Sequence, residues 1–485
     1  MSVDTMRILK TYLDNPISKL ALRFLLRKDK KYGKTYLEIA IEDLLGENSS
    51  SSLNIRIAKA IVKKAIKNSA KAFNVSFEDA LETFRLPYAR RALVSVLKGI
   101  LRFGVTKPFT PGAPFLVVWD YTYRCNLRCK HCYIAAGGYD RPEMSLDERK
   151  KSLDILADAG VTIIAFSGGE PLMGPGIFEM IKRADEYGMY TAMATNGTLI
   201  TEQVAERLAK AGLKYVQISL DAPIPHIHDE FRGINGAWER TVRGIRNAKK
   251  AGLYVEISMT ITKLNYHLVP QMLELAKELE ADLFMHYNFI PTGRGAEILE
   301  LDISPQEREK LLRLLAEKTI KNEIQAASTA PQYARVSLQL SSVGEEILLA
   351  GHFYRQKCKA DSNVVALAEF IGGCGAGRAY IALEPNGDIQ PCVFMPIKVG
   401  NILKDDFNEL WMRNKVFLEL RNRELLKGAC ANCQYKYVCG GCRARAYAYF
   451  KDYLAPDPGC IYNIDWWNRA IVAALGKQVT NTYSK

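Results

Sequence analysis

The chain has 485 residues, 48% of them hydrophobic, enough to support two or three cores and to argue against a disordered protein. No uncharged apolar run approaches the ~18–20 residues of a membrane-spanning helix. The net charge is +13, and it is uneven: residues 1–112 hold 21 Lys or Arg against 10 Asp or Glu.

Residues 1–112 read as a basic, all-helical N-terminal domain with a polar break at 48–54 and a Pro/Gly linker at 106–114. Residues 1–30 carry scattered charges and no clean apolar stretch, so no secretory leader is expected and the cytoplasm is the expected compartment. That setting disfavours disulfides among the 11 cysteines. In the helix expected from Ile55 to Phe73, an apolar stripe runs through Ile55, Ala58, Val62, Ile66, Ser69 and Phe73. Lys59, Lys63, Lys67 and Lys71 form a row on another face. Pro87 to Phe103 repeats the mixture, with Arg90, Arg91, Lys98 and Arg102 beside Leu93, Val96, Leu97, Ile100 and Leu101. Such helices suit an anionic membrane surface or an acidic partner; the plainer reading is the solvated face of a bundle. Nucleic acid is not expected, since interleaved aromatics and binding motifs are missing.

From residue 115 onward, short apolar runs alternate with amphipathic helices. Strands are expected at 115–124, 162–167, 190–197, 215–221, 254–262 and 283–290, with helices ending near Gly160, Gly188, Gly212, Gly252 and Glu280. The rhythm predicts a parallel βα barrel or sheet, whose ligand groups gather at the carboxyl ends of its strands. Just past the first strand, RCNLRCKHCY sets Cys125, Cys129 and Cys132 at CxxxCxxC spacing. Three thiolates so close can hold three irons of a [4Fe–4S] cube and leave the fourth open to a small molecule. The rival is a zinc knuckle with His131 as the fourth ligand. After the second strand comes Gly168-Gly169-Glu170-Pro171, where glycines let the backbone approach a ligand.

The triplet, with an imidazole before its last cysteine, and the strand-end GGEP resemble the radical S-adenosylmethionine (SAM) enzymes, over residues 113–465. The resemblance implies a partial (β/α)6 barrel, a SAM-binding cluster on Cys125, Cys129 and Cys132, and a GGEP turn bonded to the SAM amino group. It places His131, Thr195, Asn196, Ser219, Asp221 and Arg232 around the cofactor, with Ser219 and Arg232 towards the ribose or carboxylate. PTGRG (291–295) resembles a turn on the SAM side. Taken alone, Asn196-Gly197 reads as a helix cap. In such enzymes an electron enters the cluster and SAM splits into methionine and a 5′-deoxyadenosyl radical, which takes a hydrogen atom from an organic substrate. An external low-potential electron donor of flavodoxin or ferredoxin type is implied.

In the last quarter, Cys374 is followed by twelve residues, Gly387, four residues and Cys392, then Cys430-x2-Cys433-x5-Cys439-x2-Cys442 and Cys460. This resembles the seven-cysteine SPASM extension, which binds two auxiliary [4Fe–4S] clusters. With Cys358 the ligands number eight, as two cubes require. By resemblance one cube takes Cys358, Cys374, Cys392 and Cys442, the other Cys430, Cys433, Cys439 and Cys460, for three clusters in all. The family often has three residues between the fifth and sixth of these cysteines; here there are two, Gly440 and Gly441. The rival reading for Cys430 to Cys442 is structural zinc. The expected segments are therefore 1–112, a radical SAM core at 113–300, a helical bridge at 301–357, the auxiliary-cluster domain at 358–465 and a tail at 466–485. CGGCRARAYAY (439–449) and DYLAPDPGC (452–460) look closest to enzymes of alternative haem and haem d1 biosynthesis, which oxidise propionate side chains. The basic N-terminal region points instead to a lipid at a membrane, and peptide-modifying maturases share the scaffold. A non-enzymatic iron–sulfur scaffold or electron carrier would have no use for GGEP and Ser219.

Overall fold

The structure, a computed structural model, describes residues 14–48, 52–72, 75–137, 141–340, 346–350, 355–359 and 362–471. All six expected core strands form: β1 (Leu116–Thr122), β2 (Ile163–Gly168), β3 (Tyr190–Thr195), β4 (Tyr215–Ser219), β5 (Tyr254–Ile261) and β6 (Leu283–Asn288). They pair in parallel in chain order. Side chains alternate across each strand. On the outer face Val117, Trp119, Ile164, Phe166, Val216, Val255 and Ile257 pack with helix residues such as Leu153, Leu156, Ile181, Leu208 and Ile245. On the inner face, near the amino ends of the strands, Leu116, Ala165, Ala192 and Tyr215 form a smaller apolar floor.

The helices end where their capping chemistry dictates. Ser145 and Glu148 make a reciprocal capping box before Leu146–Ala159. Thr201, not Asn196, caps Glu202–Lys210. Asn196 Oδ1 instead accepts from the Thr198 amide at 2.9 Å, so its side chain shapes the turn before the helix.

The sheet extends beyond the expected six strands at both edges. β7 (Ala326–Ser328) joins β6, and from the C-terminal region β10 (Tyr380–Leu383) pairs in parallel with β1. β11 (Asp388–Gln390) and β12 (Gly400–Asn401) follow antiparallel, making ten strands, while β8 (Glu346–Ala350) and β9 (Arg355–Lys359) form a separate hairpin. The cysteine-rich region thus continues the barrel sheet.

The N-terminal region is helical, with Pro16–Leu25, Tyr36–Leu44, Leu53–Ala72, Phe77–Glu82 and Pro87–Phe103. Ile55, Ala58, Val62 and Ile66 are buried against Leu37, Ile39 and Ile41. Ser69 is exposed and Ala70 takes its expected place in the stripe; Phe73 lies outside the described residues. This stripe is the domain's own core and cannot at the same time enter a bilayer. The basic residues of Pro87–Phe103 are also engaged. Arg91 donates to the carbonyls of Ala157, Val161 and Tyr187 at 2.7–3.1 Å, around the carboxyl ends of two core helices. Arg90 pairs with Glu47 at 2.8 Å and Arg102 donates to Gly112 O at 2.9 Å. Burial, then repulsion from Arg102, lowers the Lys98 pKa. This helix joins the N-terminal region to the core rather than presenting a basic surface. No helix among the described residues is long and apolar enough to cross a membrane.

Candidate active site

Past β1, the loop from Tyr123 to Gly137 carries Cys125 and Cys129 into buried positions and Cys132 to a partly buried one. Its shape is imposed from outside. The amides of Arg128 and Lys130 donate to the carbonyls of Arg232 and Phe231 at 3.1 and 3.0 Å. Arg294, in the PTGRG turn after β6, donates through Nε to Cys129 O at 3.0 Å and through Nη1 to Ala136 O at 2.7 Å. That turn therefore grips the cysteine loop.

Amide hydrogens of Leu127 and Ala136 point at Cys125 Sγ and Cys132 Sγ, at 3.4 and 3.3 Å. Burial pushes the Cys125 thiol up to about 12 and raises Cys129 as well. Buried thiols of this kind ionise when a cationic centre binds them, and amide donors then share the sulfur charge. Cys125 and Cys129, with the partly buried Cys132 beside them on the same loop, fit the iron–sulfur assignment.

The GGEP turn lies directly against this loop. Gly169 N–H donates to Thr122 O at 2.7 Å and Glu170 N–H to Arg124 O at 2.8 Å, prolonging the β1–β2 pairing into the loop. A Cβ on Gly169 would stand 2.1 Å from Arg124 O. The close approach is thus backbone to backbone. Glu170 is fully buried and accepts from Thr195 Oγ1 at 2.8 Å and from the Asn196 amide at 3.0 Å. Burial raises its pKa against those donors. Asn196 Nδ2 reaches Asn126 Oδ1 in the cysteine loop at 2.9 Å. Pro171 begins the short 3-10 turn that follows, so β2 and β3 are tied to the loop through one buried carboxylate.

Asp221 and Arg232 form a buried pair, with Arg232 Nε 2.6 Å from Asp221 Oδ2 and Nη1 3.7 Å from Cys129 Sγ. Burial opposes the charge on Arg232, but Asp221 and Cys129 outweigh it and hold its pKa high. Its guanidinium is therefore directed at the cysteine loop. His131 stacks on Phe231 at 4.1 Å between ring centroids, and burial followed by Arg232 and Arg294 keeps it neutral, its pKa well below the usual value. Its buried Nδ1 has no hydrogen-bond partner. Ser219 is part of a ladder in which Gln217 donates to Ser258, which reaches Ser219 Oγ at 3.5 Å.

Asp120 and Tyr133 are among the lumen residues that had not been singled out. Asp120, within β1, is completely buried; Tyr133 Oη donates to its Oδ1 at 2.6 Å and lies 3.1 Å from Ser167 Oγ. Burial, then Glu384, raises the Asp120 carboxyl well above its ordinary pKa, and its Oδ2 has no partner. The signal was present in FLVVWDYTYR, where one acid interrupts an apolar strand.

In the C-terminal region Cys374, Cys392 and Cys442 share one buried cluster with Met395 and Leu420. Burial raises Cys392, and the charges of Cys374 and Cys442 add to it. Burial likewise raises Cys439, with contributions from Cys460 and Cys430. Two groups emerge, Cys374/Cys392/Cys442 and Cys430/Cys439/Cys460. Cys433, three residues after Cys430, is partly buried. Amides again point at sulfur, Gly441 N at Cys439 Sγ (3.3 Å) and Arg445 N at Cys442 Sγ (3.4 Å). The Cys358 backbone pairs with Ile347, while its side chain lies outside the described residues. Among the described residues no three His, Cys, Asp or Glu side chains stand close enough to share a single metal ion.

The profile of the radical SAM superfamily matches residues 119–279, and that of an iron–sulfur cluster-binding domain, SPASM, matches residues 374–434. The chain is 38% identical over 353 residues to an AdoMet-dependent heme synthase of Methanosarcina barkeri, covering 72% of this chain and 97% of that protein. It is 31% identical over 355 residues to mycofactocin maturase MftC of Mycobacterium tuberculosis, covering 72% of this chain and 83% of that protein. In fold it is similar to Streptococcus suis SuiB bound to S-adenosylmethionine, at TM-score 0.61 and 20% identity, covering 90% of this chain and 96% of SuiB. The chain belongs to the radical SAM superfamily, with a SPASM extension, and its cofactors are S-adenosylmethionine and multiple [4Fe–4S] clusters.

Proposed function

We propose that this chain oxidises propionate side chains of an iron-bound tetrapyrrole in haem formation, using three clusters. The observation that carries this reading is 38% identity across 97% of a heme synthase. When bound, SAM and the cluster on Cys125, Cys129 and Cys132 supply a carbon radical that removes a hydrogen atom. The protein's share is positioning and exclusion of water. Arg294, Glu170 and the Asp221–Arg232 pair set the cysteine loop. The lumen above the apolar floor offers Asp120, Tyr133, Ser167, Gln217, Ser219 and Ser258 for orienting the substrate. Loss of a hydrogen atom from the propionate carbon next to the ring, followed by loss of carbon dioxide from the carboxylate and of one electron, leaves a vinyl group. The Cys358/Cys374/Cys392/Cys442 or Cys430/Cys433/Cys439/Cys460 set would hold an auxiliary cluster able to take up that electron. The reaction needs an external electron donor, for which a flavodoxin or ferredoxin is proposed.

The test is anaerobic incubation of reconstituted protein with SAM, a low-potential reductant and Fe-coproporphyrin III. Mass spectrometry is expected to show propionates converted to vinyl groups together with 5′-deoxyadenosine. SAM cleavage that no tetrapyrrole accelerates, but a peptide does, would replace this reading with the maturase one, which the similarity to MftC supports. The membrane reading rests on the exposed Lys63, Lys64, Lys67 and Lys71 alone, because the apolar stripe beside them is buried.

A further inference from the structure

Four buried arginines beside the auxiliary cysteines form no ion pair among the described residues: Arg378 near Cys374, Arg445 near Cys442, and Arg423 and Arg443 near Cys439 and Cys430. Arg423 and Arg443 are 2% and 1% exposed, and neither forms an ion pair. A buried guanidinium without an anion is costly, so a stable fold places negative charge beside it. Arg423 Nη2 donates to Cys374 O at 2.8 Å, and its Nε is buried without a partner. Arg443 donates to the carbonyls of Tyr453 and Ala455, and its Nη2 lies 4.0 Å from Cys430 Sγ. Both guanidiniums press on the dipeptide between Cys439 and Cys442. A Cβ on Gly440 would stand 2.6 Å from Arg423 Cζ, and one on Gly441 would stand 2.4 Å from Arg443 Nη2. Both glycines have positive φ, 69° and 64°. A side chain at either would drive an arginine away, which gives the unusual two-glycine spacing a physical purpose.

The missing anion is supplied by the cysteines themselves once they hold iron. A cube with four thiolates carries a net charge of about −2, becoming about −3 on reduction. A fixed positive charge stabilises the more negative state more strongly, so it raises the reduction potential.

We infer that Arg423 and Arg443, held against Gly440 and Gly441, raise the reduction potential of the cluster ligated by Cys430, Cys433, Cys439 and Cys460. The inference rests on the two-cluster reading of the C-terminal region. Arg423 touches both groups, through Cys374 O and through the peptide after Cys439, so its charge acts on the other cube as well.

The test uses full-length protein with Cys125, Cys129 and Cys132 replaced by Ala, so that only auxiliary clusters contribute, and follows its redox titration by electron paramagnetic resonance. In this background about eight irons support the two-cluster reading, and iron near zero defeats that reading independently of the arginines. Arg423→Gln is expected to shift one reduction equilibrium at least tenfold towards the oxidised form, a fall of about 59 mV for a one-electron couple. Arg423→Lys, which keeps the charge, is expected to retain most of the original potential. Gly440→Ala keeps the arginine but displaces it, and is expected to lower the same midpoint; it carries the test if Arg423→Gln does not load. Iron-loaded Arg423→Gln or Gly440→Ala with both midpoints at the parent values overturns the inference.

Discussion

Gly169→Ala probes whether the GGEP turn works by backbone contact with the cysteine loop. The added methyl would meet Arg124 O at 2.1 Å and Thr122 O at 3.1 Å, both backbone atoms that no rotamer change can move aside. Relief requires the two chains to separate by roughly 1.5 Å, since non-bonded atoms settle at about 3.5–4 Å. The hydrogen bonds Gly169 N–Thr122 O and Glu170 N–Arg124 O, now 2.7 and 2.8 Å, would then open past bonding range. Losing two backbone bonds costs about 2 kcal/mol net, and leaving buried partners unsatisfied brings the local cost to about 3–5 kcal/mol. Because Arg124 precedes Cys125, the displacement falls on the SAM-side cluster and spares the auxiliary ones. Iron analysis of anaerobically reconstituted Gly169→Ala is expected to show about two-thirds of the wild-type content, with SAM cleavage abolished. Wild-type iron together with wild-type SAM cleavage would refute the reasoning.

Replacing Cys125, Cys129 and Cys132 together by Ala is expected to lower iron from about twelve to about eight per chain; stoichiometric zinc with only about four irons would refute three cubes. Cys358→Ala is expected to alter the electron paramagnetic resonance signal of one auxiliary cluster while SAM cleavage persists, and an unchanged signal in loaded protein counts against its role as a ligand. His228 accepts from the Asp221 amide at 3.1 Å and is held neutral, with burial and then Arg232 lowering its pKa to about 3. The unfolded chain therefore takes up a proton at the ordinary value of 6.5 that the native chain refuses, so stability falls as pH drops from about 6.5 towards 3. Urea midpoints are expected to show this slope flattened by up to about 1.4 kcal/mol per pH unit in His228→Gln, and equal slopes would count against it. Sedimentation with anionic liposomes should be weak and abolished by moderate salt, since only the lysine row remains available, each Lys contributing about 1 kcal/mol; salt-resistant binding would restore apolar insertion.

The six core strands, the capped core helices and the gathering of motifs at strand ends were legible in the residues alone. Each depends on neighbours a few positions apart, through alternation, capping and turn chemistry, and such short-range preferences survive in any tertiary setting. The cysteine spacing was equally local. What depended on the folded chain were contacts between residues far apart in sequence. Whether the stripe from Ile55 to Ile66 faced a bilayer or its own bundle was settled by Leu37, Ile39 and Ile41. Whether Arg91 was a surface charge was settled by three carbonyls some seventy to a hundred residues away. β10 joined β1 across more than two hundred residues, and Arg294 reached Cys129 across 165. Spacing fixes which face a side chain occupies, but not what that face meets, so the grip on the cysteine loop, the buried Asp120 and the arginines at Gly440 and Gly441 emerged only in three dimensions.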